Sequence, residues 1–163
     1  MKKLVTILLA ALIAAASLVG CSAPKKETVS MYDLSQAMLS AHGDPDSMAY
    51  ASSSDADPAV KLSYVSDVDY SKVEAFFISY AKDGKGNSDE IVVIAMKEEA
   101  DAAEAAASLQ EHIKKRISLY STYDPMQVTA LEKAEIFTER QYAVLVVAKN
   151  SEEIISAFND FVK

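Results

Sequence analysis

The sequence is poor in residue types on which many small secreted or catalytic domains depend. It has no tryptophan, one cysteine, two histidines and four glycines among 163 residues. A single cysteine excludes an intramolecular disulfide framework, so the fold must be held together by its hydrophobic core. Only three glycines follow residue 20, and they form no glycine-rich loop of the kind that cradles phosphates.

The N-terminus has the pattern of a secretory signal peptide. Met1-Lys2-Lys3 is positively charged, and residues 4–19 form an uncharged apolar run. This run falls short of the roughly 20 apolar residues that span a bilayer as a helix. An uncleaved membrane anchor is therefore the less favoured reading of the segment.

The end of this run predicts a lipid attachment site. Leu18-Val19-Gly20-Cys21 looks like a bacterial lipobox, in which the cysteine is lipidated on sulfur and becomes the mature N-terminus. We therefore expect a signal peptide at residues 1–20, a tether at 21–29 and a single domain at 30–163. The predicted location is the extracytoplasmic face of the cell membrane, with the membrane contacted through the N-terminal lipid.

The mature chain is strongly acidic. All 24 Asp and Glu residues follow residue 20, whereas two of the 16 Lys and Arg residues precede it, which leaves 14 bases and a charge of −10. Such a surface repels nucleic acid and anionic headgroups. We expect no nucleic-acid partner and a soluble domain that is monomeric.

The spacing of apolar residues and the positions of capping and turn residues predict the helices and strands of the domain. A capping box at Ser30 opens a helix that ends at Gly43, and residues 44–69 are rich in turn residues and predicted to be irregular with one short element. The remaining predictions are strands at 73–81 and 91–96, a helix at 98–120, a short helix after Asp124, a hairpin of 134–138 with 142–149, and a helix after Asn150.

These elements read as strand-strand-helix twice. Residues 91–97 align with 143–149, and the helices that follow align their apolar positions. The predicted fold is α+β, with a four-stranded antiparallel sheet and both of these helices on one face. Because the strands have apolar residues on both sides, the other face must also be covered, and we expect the N-terminal helical segment to cover it.

Several features along the chain together resemble a known family. They are the lipobox, the Met31-Tyr32-Asp33-Leu34 helix, Asp89-Glu90-Ile91 at the start of an apolar strand, Arg116 near a helix end, and Tyr123-Asp124-Pro125. This order is similar to that of small Gram-positive membrane lipoproteins catalogued only as a domain of unknown function. The resemblance implies a location and lipidation of Cys21, and it brings no catalytic residues.

No residue pattern predicts catalytic chemistry or a cofactor. His42 and His112 lack a nucleophile motif nearby and are expected to be solvated surface histidines. The segment from His42 to Asp46 is a weak match to a zinc site, and residues 83–90 are a weak match to a calcium loop, with Ile94 where a glutamate is required. We predict no metal site, and we attribute the Asp67 and Asp69 pair to the acidic composition.

One group of side chains is a candidate contact patch. Arg116 lies one helical turn from His112 and from Tyr120, just before Tyr123. Arg and Tyr are favoured anchors at interfaces, so Arg116, Tyr120 and Tyr123 could contact a partner. The alternative is that the guanidinium packs against tyrosines at the helix end with no binding role.

Two classes of function remain open. The absence of a catalytic constellation favours a non-catalytic interaction or ligand-binding module of the cell envelope, with an envelope protein as one candidate partner, over an enzyme. The alternative is an envelope hydrolase that acts on wall polymer or peptide. A deep pocket that holds two carboxylates about 5–9 Å apart would favour the hydrolase, and a shallow surface would exclude it.

Overall fold

A computed structural model describes residues 29–83 and 86–162, which form three layers with a β-sheet in the middle. Cys21, the signal peptide and most of the tether lie outside the described residues. The helices are α1 Met31–His42, α2 Pro58–Ser63, α3 Ala102–Tyr123, α4 Val128–Glu132 and α5 Ser151–Val162, and the strands are β1 Met48–Ser52, β2 Val73–Ala81, β3 Glu90–Met96, β4 Glu135–Glu139 and β5 Tyr142–Val147.

Both ends of α1 follow the sequence prediction. The Ser30 hydroxyl accepts a hydrogen bond from the backbone N–H of Asp33, which satisfies a donor that the helix itself cannot pair. At the other end Gly43 has φ +88°, a left-handed conformation that glycine adopts without a steric penalty. Local chemistry therefore determines where this helix starts and stops.

The sheet has five strands rather than the predicted four, in the order β1-β2-β3-β5-β4, and every neighbouring pair is antiparallel. The additional strand is β1, which lies within the segment predicted to be irregular. Its sequence, Met-Ala-Tyr-Ala-Ser, is short and alanine-rich, so its pattern is weak. Its five residues each pair with a residue of β2, and this pairing stabilises a strand that local propensity does not predict.

Side chains of the central strand are buried on both faces, which confirms that the sheet is covered on both sides. Val92 and Ile94 point into one apolar cluster, together with residues of α2, α3 and α4. Ile91 and Val93 point into the other, together with residues of α1 and α5. All seven residues of β3 are buried, as expected for a strand between two helical layers.

The prediction that α3 and α5 share one face of the sheet is wrong. Helix α3 packs on the face of Val92, whereas α5 packs with α1 on the opposite face. The aligned strand positions already differ in this respect, because Val92 faces α3 while its counterpart Val144 faces α5. Neighbouring residues of a strand point to opposite faces of the sheet. Two strand-helix segments with the same spacing along the chain can therefore place their helices on different faces.

The N-terminal segment is correspondingly divided between the two layers. Helix α1 joins α5 on one face, while Leu62 and Val65 join α3 on the other. The side-chain amide of Asn150, the residue directly before α5, donates to the backbone oxygen of Ala41 at 2.7 Å. It thereby satisfies a carbonyl at the C-terminal end of α1 and joins the two helices of that layer.

We predict that removal of the residues before Asp67 destroys the monomeric state. This truncation removes α1, β1 and α2, and so uncovers fully buried side chains such as Phe77, Ile91 and Phe158. An exposed apolar face of this size leads to association. Light scattering should show dimers or aggregates, whereas a chain that begins at Val29 stays monomeric. A monodisperse truncated chain with a cooperative thermal transition would contradict the prediction.

Candidate functional site

A cavity of about 450 Å³ lies between the sheet, α2 and α3. Helix α3 packs mainly on β3, β4 and β5, and the six-residue α2 packs on β1. The short helix does not fill the space beside the long one, so part of β1 and β2 is left accessible. Ala51 and Ile78 form the apolar floor there.

One wall of the cavity is a buried ion pair with a histidine beside it. Arg116 Nη1 donates to Glu90 Oε2 at 2.8 Å, and His112 Nε2 contacts the same oxygen at 2.9 Å. The Glu90 side chain is only 6% exposed. An isolated carboxylate at such a position would be very costly, and the two donors compensate for its removal from water.

The positions of these three side chains follow from the elements that carry them. His112 and Arg116 are four residues apart on α3, so both project from the same face of the helix. Glu90 is the first residue of β3 and alternates with Val92 and Ile94, which face α3. Because an ionised carboxylate can only accept hydrogen bonds, the Nε2 atom of His112 carries the proton in this contact.

Arg116 is held by more than Glu90. Its Nη2 atom donates to the backbone oxygen of Ser88 at 3.2 Å, and its guanidinium carbon lies 5.4 Å from the centre of the Tyr120 ring. A guanidinium above an aromatic face is attracted by the ring electrons. Arg116 therefore joins the start of β3 to the C-terminal part of α3.

Tyrosines provide most of the aromatic surface of the cavity. Tyr50, Tyr64, Tyr80 and Tyr120 all line it. The Tyr50 ring stacks on Phe77 with a centroid distance of 6.2 Å, and its hydroxyl accepts a hydrogen bond from Ser35 at 3.3 Å. Because Phe77 and Ser35 belong to the α1 layer, the Tyr50 ring lies on the face of the sheet opposite to α3, and Tyr64, Tyr80 and Tyr120 provide the aromatic side chains of the cavity.

The predicted contact patch is present only in part. Arg116 and Tyr120 lie together in the cavity wall, as their helical spacing indicated. Tyr123 does not join them: it is 79% exposed and is not a lining residue of this cavity. At i+3 from Tyr120, near the end of α3, its side chain extends into solvent.

The prediction that both histidines are solvated on the surface is wrong. The His112 side chain is 14% exposed and contacts Glu90, and the His42 side chain is 6% exposed with Nε2 3.1 Å from Asp89 Oδ2. Asp89 and Glu90 are consecutive, so they meet helices on opposite faces of the sheet. The sequence analysis identified His112 beside Arg116 but missed Glu90. Glu90 could have been found as a charged residue at the first position of a strand that is buried on both faces.

The other acidic pair has a structural role. The Ser108 hydroxyl donates to Asp67 and the backbone N–H of Ser71 donates to Asp69, at 2.5 and 2.9 Å. These hydrogen bonds lower the pKa of each carboxyl below its ordinary value. Their contribution to stability is therefore present above the ordinary pKa and is lost as the pH falls through the lowered one.

The residues weighed as metal ligands do not form a cluster. Across residues 29–83 and 86–162, His, Cys, Asp and Glu side chains nowhere gather in a group of three or more that could hold a metal ion. Gly84 and Lys85 of the calcium-like loop lie outside the described residues. Within the same ranges, no helix combines the length and apolar character that a membrane span requires.

Comparison with protein families places the chain in one of them. The model of a domain of unknown function, DUF4358, matches residues 46–148, which is more than half of the chain. The chain belongs to the DUF4358 family. This confirms the resemblance at the level of a domain of unknown function, while the Gram-positive lipoprotein character stays a prediction. No curated protein and no solved structure matches the chain significantly.

The DUF4358 match includes the whole cavity. Its lining residues lie between Tyr50 and Tyr120, well inside the matched range. Helices α1 and α5, which cover the face of the sheet away from the cavity, lie outside that range. The matched part thus contains all five strands and the cavity side of the fold.

We predict that Glu90→Gln destabilises the protein by about 3 kcal/mol, because loss of one partner leaves the buried Arg116 charge uncompensated. Urea denaturation measures this change. The matched control is Glu111→Gln, which breaks the exposed ion pair with Lys114 and should cost less than about 0.5 kcal/mol. Equal losses of stability in the two variants would show that the buried Glu90–Arg116 pair contributes no more to the free energy of unfolding than an exposed pair.

Proposed function

We propose that this protein is an extracytoplasmic lipoprotein whose DUF4358 domain binds a small ligand in the cavity between α2 and α3. The lipid on Cys21 would hold the domain at the membrane surface. The observation that carries the binding proposal is the cavity itself, with its fixed Glu90–Arg116–His112 wall and its tyrosine surface. No catalytic step is assigned to these residues.

The cavity has the properties of a small-molecule site. Such sites typically enclose roughly 300–1,000 Å³ and combine apolar and aromatic walls with a few fixed polar groups. Here the volume is about 450 Å³, and Ile78, Val65 and the tyrosines accompany the polar groups. Because the ion pair is buried and hydrogen-bonded, that wall is preorganised, which reduces the cost of binding.

The bonding of the carboxylates disfavours the hydrolase alternative. Glu90 Oε2 is contacted by both Arg116 and His112, so this oxygen is already occupied by protein partners rather than directed at a substrate. Asp89 contacts His42, from a helix on the other face of the sheet. The geometry thus supports a ligand-binding wall better than a pair of catalytic acids.

The tether proposal follows from the lipobox and from the start of the domain. Val29 already packs against the buried cluster of α1 and α5. The segment between Cys21 and Val29 is short, and eight residues extend over at most roughly 28 Å. A lipidated Cys21 would therefore keep the binding cavity near the membrane.

We predict that Cys21→Ala abolishes lipid labelling and releases the protein from the membrane fraction. Acyl chains contribute about 0.8 kcal/mol per buried methylene, so two chains hold a protein far more tightly than an acidic surface does. Metabolic labelling with a palmitate analogue and fractionation measure both effects. Ser22→Ala is the matched control and should behave as wild type. A labelled Cys21→Ala protein that stays in the membrane fraction would refute the anchor.

For the binding function, we predict that compounds from a fragment library perturb the ring NMR signals of Tyr64 and Tyr80. Both side chains line the cavity and are partly exposed. Tyr32 and Tyr123 are exposed elsewhere and serve as internal controls. A library of neutral, cationic and anionic compounds that never shifts the first two signals beyond the controls would contradict a binding site here.

A further inference from the structure

The charged side chains on the α3 face of the sheet, where the cavity lies, do not cancel. Arg116 and Glu90 form a direct ion pair at 2.8 Å and neutralise each other. Asp89 also lines the cavity, but its carboxylate contacts His42, which belongs to the opposite layer. Lys61 of α2 is therefore the charge that is left over, and the cavity face is positive.

The Lys61 ammonium is available to a ligand. Across residues 29–83 and 86–162, neither a hydrogen bond nor an ion pair involves this group. A lysine ammonium has three donors on a flexible four-carbon stem, so it can turn toward a molecule in the cavity. Protonation of His112 would add a second positive charge and no negative one, so the sign of the cavity face does not depend on it.

The Arg116 guanidinium offers further donors in the same wall. A guanidinium has five N–H groups and no acceptor. The bonds to Glu90 and to the Ser88 carbonyl use only part of this set. An anionic group therefore finds donors at both Arg116 and Lys61, whereas a cation finds no unpaired acid, because Glu90 is already neutralised.

More distant charges have a smaller influence on a bound ligand. The chain as a whole has a net charge of −8, which by itself repels anions. At physiological ionic strength, exposed charges more than about 8 Å apart are largely screened from one another. The positive groups in the cavity wall therefore dominate the field that a ligand meets there.

The remaining surface of the cavity is suited to an apolar or aromatic body. Ala51, Val65 and Ile78 are apolar, and the Tyr64 and Tyr80 rings are accessible at 71% and 46% exposure. A ligand that is polar throughout would leave this surface without a matching partner. The cavity thus combines a positive wall with an apolar and aromatic one.

We propose that the cavity binds a monocarboxylate with an apolar or aromatic body, with Lys61 as its counter-ion. One surplus positive charge matches one carboxylate, whereas a phosphate monoester brings close to two negative charges at neutral pH. This ligand class rests on the proposed binding function and adds the chemistry of the occupant.

Titration of the full-length protein in micelles of a polyoxyethylene detergent tests the ligand class, with the ring NMR signals of Tyr64 and Tyr80 as reporters. The probes are hydrocinnamate, its neutral isostere hydrocinnamide, the cation phenylpropylamine and the dianion phenethyl phosphate. Equilibrium dialysis gives the free concentration of each probe beside the micelles. We expect hydrocinnamate to bind about tenfold more tightly than the amide, since hydrogen bonds to an ionised group are the stronger ones, and more tightly than the other two probes.

Variants of Lys61 separate its charge from its place in α2. Lys61→Gln should weaken hydrocinnamate binding by about fivefold, the upper range for an ion pair with an exposed lysine, and leave binding of the amide unchanged. Lys61→Arg keeps the charge and should retain the affinity. The matched control is Lys133→Gln, which removes an exposed lysine outside the cavity lining and should leave both affinities unchanged.

The outcomes distinguish the ligand class from the binding function. Tighter binding of the amide, the amine or the phosphate than of hydrocinnamate would overturn the carboxylate proposal and retain the cavity as a site. The absence of shifts with hydrocinnamate, or an acid-to-amide affinity ratio that Lys61→Gln leaves unchanged, would also overturn it. The binding function itself fails only if the fragment library leaves Tyr64 and Tyr80 unperturbed.

Discussion

A carboxylate withdrawn from water at the first residue of the central strand organises the functional side of this fold. Glu90 is stabilised there only because Arg116 and His112 reach it from α3. The same guanidinium contacts Ser88 and Tyr120. One ionic interaction therefore fixes the start of β3, the orientation of α3 and the charged wall of the cavity, which the neighbouring tyrosines complete.

A second requirement is that β3 is buried on both faces, so that the sheet needs two helical layers. Asp89 and Glu90 point to opposite faces of the sheet, so Asp89 contacts His42 of α1 and Glu90 contacts His112 of α3. The two layers are thereby attached to adjacent residues of one strand. On the α3 side the layer includes the short α2, and the space that α2 leaves unfilled is the cavity.

The elements with strong local signals could be predicted from the sequence. Strand β2 occupies the predicted residues 73–81, and the N-cap at Ser30 and the left-handed Gly43 limit α1 as expected. Strand β1 was missed because its five residues acquire order mainly from pairing with β2. Of the site, Arg116 and Tyr120 were found by their spacing on one helix, whereas Glu90 and the tyrosines of other elements were not.

The sequence by itself determined the cysteine content, the charge, the signal-like N-terminus, the helix ends and the two-sided burial of the central strands. These are properties of composition or of residues within a turn of one another. Tertiary structure decided the face on which α3 and α5 lie, and the partners of both histidines. Those choices depend on contacts between distant residues, 26 positions apart for Glu90 with Arg116 and 47 for His42 with Asp89. No local periodicity encodes such contacts, because they form only when helices pack on the finished sheet.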